Sequence, residues 1–239
     1  MLLSRNDIIK ELKRKKRGNI KIHPLNLDNI KGSSINLTVS PLAWKISDNK
    51  TAHKDGIITI PAHDTVCIYS NEAIWVSRRI GGTYHSKVTQ VTEGLGHIGT
   101  TLDPQWKGLT LVGVTNHTDE DIELTVGDSF VTIMLYYLKT GTDHGIDVNA
   151  PSRSEIASKF EQTAQEKRYL REEWHLTFPG ISKAMHNSDS YKELTKYKSK
   201  SRLRDLFVLP TLSNLLVNVI VAILTVLLTV YLTLKYLQD

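Results

Sequence analysis

Cysteine is almost absent: Cys67 is the only one in 239 residues, which excludes a disulfide within the chain and fits a reducing compartment. No export signal is expected either, since Met1-Leu2-Leu3-Ser4-Arg5 carries no apolar run of signal-peptide length. The nine histidines never fall at a paired ligand spacing such as His-x-x-x-His, and one cysteine is too few for a zinc-deaminase site, so no metal ligands are expected. No GxxxxGK[ST] loop and no Gly-x-Ser-x-Gly elbow occurs, which removes P-loop and α/β-hydrolase chemistry. Aromatics make up 7% of the chain and do not interleave with basic residues on any β-type run, so no nucleic-acid partner is expected.

The formal net charge is +5, and much of the base sits in two clusters. One is Lys13-Arg14-Lys15-Lys16-Arg17. The other runs Lys192, Lys196, Lys198, Lys200, Arg202, Arg204, directly before a segment, Leu206 to Leu234, that has no charged residue. A bilayer core about 30 Å thick takes roughly 20 helical residues, and this run exceeds that. The sequence therefore predicts a single C-terminal transmembrane helix over 206–237, with Thr225, Thr229 and Thr233 recurring at i, i+4 and i+8 on one face. The basic cluster on its N-terminal side orients it. The expectation is a single-pass, tail-anchored protein whose N-terminal domain is cytoplasmic and whose partner through 206–237 is the lipid bilayer.

The rest of the chain changes period twice. Residues 4–17 are helical in pattern, with Ser4 as N-cap, an Ile8, Ile9, Leu12 stripe, and Gly18 as the stop. From Ile35 to Leu138 the pattern is short β-type runs, among them Ile57–Ile60, Thr65–Tyr69, Leu109–Val114 and Phe130–Met134, separated by Gly, Pro, Asn and Asp. Many short strands with turns between them give a mainly β barrel or sandwich. Three regions follow: a globular domain over 1–150, a charged helical and polar linker with a basic juxtamembrane end over 151–205, and the apolar helix over 206–237.

Four motifs in order carry a resemblance. Ser4-Arg5-Asn6-Asp7-Ile8-Ile9-Lys10-Glu11 is similar to the opening helix of the dCTP deaminases, relatives of the trimeric dUTPases. Gly32-Ser33-Ser34-Ile35-Asn36-Leu37 resembles their next signature, and Leu102-Asp103-Pro104-Gln105-Trp106-Lys107-Gly108 resembles their Ile-Asp-Pro-Gly-Trp-x-Gly. Val126-Gly127-Asp128-Ser129-Phe130 resembles the turn before their last strand, and the separation of Ser86 from Asp103 matches the family without a gap. The similarity covers roughly residues 1–140. It implies a dUTPase-like (β-clip) fold with an N-terminal helix, a homotrimer with ligand sites between subunits, and a nucleotide ligand. No cofactor is implied beyond Mg2+ brought by a bound nucleoside triphosphate.

The chemistry departs from the family. The glutamate that shuttles protons in the deaminases lies ten positions after the Asp of the Asp-Pro motif, and here that position is Gly113. A missing proton shuttle typically costs 10²–10⁴-fold. The family's Arg-Ser-Ser-x-x-Arg corresponds to His85-Ser86-Lys87-Val88-Thr89-Gln90, so Ser86 survives but Gln90 replaces an arginine that grips phosphate with two charged hydrogen bonds. Lys87 supplies one positive charge instead. Ser86 is either a phosphate contact or a turn residue. Asp103 either bonds a sugar hydroxyl or caps the turn at Pro104, and Trp106 either stacks on a base or packs in the core. Lys159-Phe160-Glu161-Gln162 faintly resembles the family's Lys-Tyr-x-x-Gln phosphate contacts, off by one in spacing, with Lys159 as the matching lysine.

The reading that follows is a membrane-anchored dCTP deaminase-like protein, deamination-deficient, acting as a nucleotide sensor or effector; bacterial or phage defence is the setting that logic suggests. Its nucleotide-binding residues are Ser86, Lys87, Gln90, Asp103, Trp106 and Lys159. The first alternative is an active membrane-bound dCTP deaminase or dUTPase, with Asp103 and Glu93 catalytic. The second is a trimeric membrane scaffold without a ligand.

Overall fold

The computed structural model describes residues 1–14, 18–97, 99–142, 150–196 and 218–230. Helix α1 spans Arg5–Lys13 and begins where the sequence places its cap. Ser4 Oγ accepts from Asp7 N at 3.3 Å, and the Asp7 carboxylate accepts from Ser4 N at 3.1 Å, so two of the helix's unsatisfied N–H groups find partners. Ile8 and Leu12 are fully buried beneath it.

The strands follow as β1 (Ile20–His23), β2 (Ile35–Lys45), β3 (His53–Lys54), β4 (Ile57–Ile60), β5 (Thr65–Val76) and β6 (Ile80–Ser86). After a short helix α2 (Val88–Thr92) come β7 (Leu95–Gly96), β8 (Thr101–Leu102), β9 (Lys107–Asn116), β10 (Ile122–Thr125) and β11 (Ser129–Tyr137). The main sheet has the order β7-β9-β5-β2-β11-β6-β8, with β1 pairing the second half of β5; a smaller sheet runs β10-β4-β3. The mainly β reading with an N-terminal helix stands.

The main sheet curls on itself. Strands β9 and β6 have three strands between them in the order, yet Tyr84 on β6 and Thr110 on β9 share a buried hydrogen bond, hydroxyl to hydroxyl, at 3.0 Å. The bending is built in by irregularities: register shifts fall between Val39 and Ala43, between Tyr69 and Ala73, and between Ser129 and Val131. Buried Glu72 lies in one of them and ties it to β2, accepting from Thr38 N and from the Thr38 hydroxyl, each at 2.8 Å. Burial pushes the Glu72 carboxyl above its ordinary range, against these two bonds.

Met1–Lys192 forms one compact unit. The residues after 150, charged and polar as they read in the sequence, supply side chains to its core. Helices α3 (Ser154–Ala157), α4 (Ala164–Tyr169), α5 (Glu173–Leu176) and α6 (Phe178–Asn187) are short, and α7 (Asp189–Lys196) follows. Ala157, Leu170 and Ile181 are buried in one cluster with Trp44, Tyr69, Ala73 and Leu109 of the sheet. Phe160 stacks on Trp44 with ring centres 5.4 Å apart, and Phe178 packs on Trp75 at 4.4 Å. Ser152 pins the segment: its hydroxyl accepts from Leu109 N at 2.9 Å and lies 3.2 Å from His175 Nδ1, while its carbonyl accepts from the Tyr69 hydroxyl. The approach is so close that a Cβ at Gly108, where φ is +125°, would sit 2.4 Å from Ser152 N. Only glycine fits there.

The second unit is Glu193–Asp239. Here the transmembrane expectation is corrected: among the described residues no helix is long and apolar enough to cross a membrane. The described helical residues there, 218–230, span about 20 Å at 1.5 Å per residue against a hydrocarbon core of about 30 Å. The expectation rested on the composition of the run, and composition alone does not supply a described helix of spanning length. The single-pass topology, the tail anchor, the cytoplasmic orientation and the bilayer partner all rested on that span and fall with it. The remainder of 206–237, the basic residues from Lys198 to Arg204, and Lys15–Arg17 lie outside the described residues. Along 218–230, Thr225 and Thr229 donate to their own helix, to the carbonyls of Val221 and Thr225, each at 2.8 Å; Thr233 lies outside the described residues.

Candidate functional site

The expected site residues fall into three places. Ser86 ends β6, Lys87 is the N-cap of α2, and Gln90 lies on that helix. Ser86 and Gln90 line one cleft together with His97, against an apolar wall that includes Val112, Val114 and Phe130. The turn through α2 brings this about, returning the chain so that His97 Nδ1 lies 2.6 Å from Ser86 Oγ. Burial is the main force holding the His97 imidazole below its ordinary pKa, and the neighbouring charge of His85 acts in the same direction; a hydrogen bond to the Tyr84 carbonyl opposes both. Lys87 does not enter the cleft's lining; its ammonium donates to the Ser129 carbonyl at 3.2 Å and to the Ser129 hydroxyl on β11.

Asp103 and Trp106 form a second place, the turn between β8 and β9. Trp106 N donates to the Asp103 carbonyl at 3.1 Å, and Gln105 takes φ +66° to close the turn. The Trp106 ring is half-buried and donates from Nε1 to the Gly108 carbonyl at 3.3 Å. Its face carries the Arg153 guanidinium 5.7 Å from the ring centre. Both charges reach Tyr84 beneath: burial pushes its phenol up, the Thr110 hydrogen bond opposes, Asp103 adds to the rise and Arg153 offsets it.

Lys159 is exposed in the segment that follows α3, beside the Phe160 that packs on Trp44. It belongs to neither group. Glu93 is the exposed C-cap residue of α2 and is absent from the cleft's lining.

Gly113 faces away from the cleft. Val112 and Val114 point into it, and strand alternation turns Gly113 to the opposite side of β9, opposite Cys67 of β5. A Cβ there would meet only Thr65 Cγ2, at 3.7 Å, an ordinary contact. The hydroxyls of Thr65 and Thr115, 2.8 Å apart, are the polar groups beside it. Neither is an acid or base near neutral pH.

His97 is the residue sequence reasoning missed. It stood only among histidines without metal spacing, and nothing in an 11-residue separation from Ser86 announces a contact. No group of three or more His, Cys, Asp or Glu able to hold a metal ion occurs among the described residues.

The sequence matches no protein-family model, and no curated protein matches it. Solved structures do. The 2'-deoxycytidine 5'-triphosphate deaminase from Agrobacterium tumefaciens aligns over 57% of this chain and 48% of its own, at 10% identity and a TM-score of 0.47. The native EIAV dUTPase aligns over 54% of this chain and 98% of its own, at 20% identity and a TM-score of 0.38. A dUTPase mutant from phage phi11 of S. aureus, which coordinates a structural Mg(II) ion, aligns over 54% and 96%, at 7% identity and a TM-score of 0.39. The chain thus spans about half the length of the deaminase it is similar to, and nearly all of the two dUTPases.

Proposed function

We propose that Met1–Lys192 is a nucleotide-binding unit of the dCTP deaminase and dUTPase type that does not deaminate, and that it acts by binding its nucleotide rather than converting it. The observation that carries this reading is Gly113. The resemblance assigns that position a proton-shuttling glutamate, and the side chains beside it are Thr65, Cys67 and Thr115. Deamination of a cytosine ring needs a group that takes a proton from water and returns it to the ring and the leaving amine. Hydroxyls of ordinary pKa do not do so at pH 7. The nucleotide-facing residues of the reading are Ser86, Lys87, Gln90, Asp103, Trp106 and Lys159, drawn together between the subunits of a homotrimer, with Mg2+ entering only alongside a triphosphate.

A second reading, hydrolysis of dUTP, rests on Asp103. In the dUTPase branch an aspartate at this position activates water, and Asp103 is partly exposed in its turn.

The test uses the full-length chain, titrated with dCTP, dUTP and dTTP in a calorimeter while the same samples are assayed for ammonia and pyrophosphate. Binding without release of either supports the first reading. Pyrophosphate from dUTP, lost in Asp103→Asn, establishes the second. Ammonia from dCTP overturns the reading drawn from Gly113.

A further inference from the structure

The segment Pro151–Leu176 lies on the main sheet without joining it: none of its residues pairs with a strand. It is attached by side chains and by one strained turn. Ser152 and Arg153 both take left-handed backbone, with φ +56° and +50°, a conformation that residues other than glycine keep only where their surroundings impose it. What imposes it here is a chain of hydrogen bonds. Leu109 N donates to Ser152 Oγ at 2.9 Å, Ser152 Oγ lies 3.2 Å from His175 Nδ1, and His175 Nε2 lies 2.8 Å from the Tyr169 carbonyl oxygen.

The roles along the chain are set from its far end. A carbonyl only accepts, so the ring proton sits on Nε2 and is donated to Tyr169. Nδ1 of the neutral ring is then an acceptor, and the Ser152 hydroxyl donates to it while accepting from Leu109. A second ring proton breaks this order. Nδ1–H and the Ser152 O–H then face each other, and because both residues are fully buried, the hydroxyl loses its acceptor while a charge appears away from solvent. Burial is the main force holding the ring below its ordinary pKa; its bond to the Tyr169 carbonyl and the charge of Glu172 oppose it. Of the other ionisable groups nearby, the Tyr169 phenol stacks on the ring and His23 of β1 stands across Trp174. Tyr69 of β5, with the Glu155 charge near it, reaches the Ser152 carbonyl. Arg153 is turned onto Trp106, and β9 meets Ser152 with Gly108 and Leu109. Glu173 on α5 and Lys183 on α6 are exposed, and His186 on α6 faces Tyr191.

We propose that Ser152 and His175 form an acid-opened latch: with the ring neutral they hold Pro151–Leu176 against β5 and β9, and a second proton on the ring releases the segment. Release lifts Arg153 from Trp106 and Phe160 from Trp44. The left-handed turn favours release once its bonds are gone. The device does not depend on the nucleotide reading.

The direction follows from linkage. The docked ring resists the proton and the released ring takes it near pH 6.5, so docking is at full strength above that pH and weakens as pH falls below it. One proton changes the opening constant by at most tenfold per pH unit, which allows a rise of up to about tenfold between pH 7.5 and 5.5. Hydrogen exchange of the full-length chain at these two pH values, corrected for intrinsic rates, measures it. The amides of Ser158, Phe160 and Leu170, each bonded within the segment, are expected to lose protection by roughly three- to tenfold and to stay less protected than β5 and β9. His175→Phe keeps a ring in the stack but cannot titrate, and is expected to remove most of that acid response. An unchanged response in His175→Phe, or a segment that opens only together with the strands, overturns the proposal. Should the variant fail to fold, ¹⁵N imidazole spectra of the natural chain decide: the His175 proton is expected on Nε2 at pH 7.5, with the ring still mostly neutral at pH 6.5. A proton on Nδ1, or a ring half-charged at or above pH 6.5, overturns it as well.

Discussion

Replacing Ile181 with alanine tests whether the segment after residue 150 is part of the fold in solution. Ile181 is fully buried, and through it α6 enters the cluster that holds Trp44, Tyr69 and Leu109. Truncating a buried isoleucine to alanine costs about 2–5 kcal/mol, the transfer of the lost methylenes plus the cavity left behind. The upper part of that range needs walls that cannot collapse. Here they are paired strands and stacked rings, so about 3–4 kcal/mol is expected. For a unit of this size each kcal/mol moves Tm by about 2–4 °C, which gives a drop of roughly 6–16 °C. Thermal melts followed by far-ultraviolet circular dichroism, and urea titrations with an unchanged m-value, measure it. Lys183→Ala, on the exposed side of the same helix, is the control and should stay within about 0.5 kcal/mol. A loss below about 1 kcal/mol for Ile181→Ala would refute the reasoning, since a docked α6 cannot surrender that side chain so cheaply.

Two further outcomes follow from particular residues. Burial holds the imidazoles of His23, His97 and His175 below their ordinary range, so below about pH 6.5 the unfolded chain binds more protons than the folded one and stability falls with pH. Urea midpoints should drop between pH 7.5 and 5.5, against a smaller opposite contribution from Glu72; a rise would contradict the burial of these rings. At Gly113 a methyl group meets only an ordinary contact, so Gly113→Ala should raise stability by about 0.5–1 kcal/mol by removing backbone freedom from the unfolded chain. A loss in the melting temperature would mean that something packs closely on that face of β9.

Much of the fold was legible because local rules carried it. The Ser4 cap, the Ile8 and Leu12 stripe and the alternation along β9 each follow from spacing that the chain states within a few residues. What lay beyond reach depended on distant partners. Ala157, Leu170 and Ile181 are scattered among charged residues with no period, and their burial exists only because Trp44, Tyr69 and Leu109 wait for them. In the site, Ser86 and Gln90 were legible through their motif, while His97 joined them through a turn that spacing does not encode. Alternation alone sets Gly113 on the side of β9 away from Val112 and Val114. The apolar stretch after 206 misled because hydropathy does not measure helix length, and among the described residues no helix is long and apolar enough to cross a membrane.

The contact between Ile22 on β1 and Met185 on α6, where the amide of one reaches the sulfur of the other at 3.5 Å, joins residues 163 positions apart. On a ribosome adding about 5–20 residues per second, Ile22 waits roughly 8–33 s for its partner. During that interval the outer face of the β5 and β9 pairing stands without Ile181 and Leu170, open to other nascent chains and to chaperones. The last segment to be made thus governs the risk of the first, and an arrest of synthesis before residue 181 would release a sheet with its apolar side uncovered.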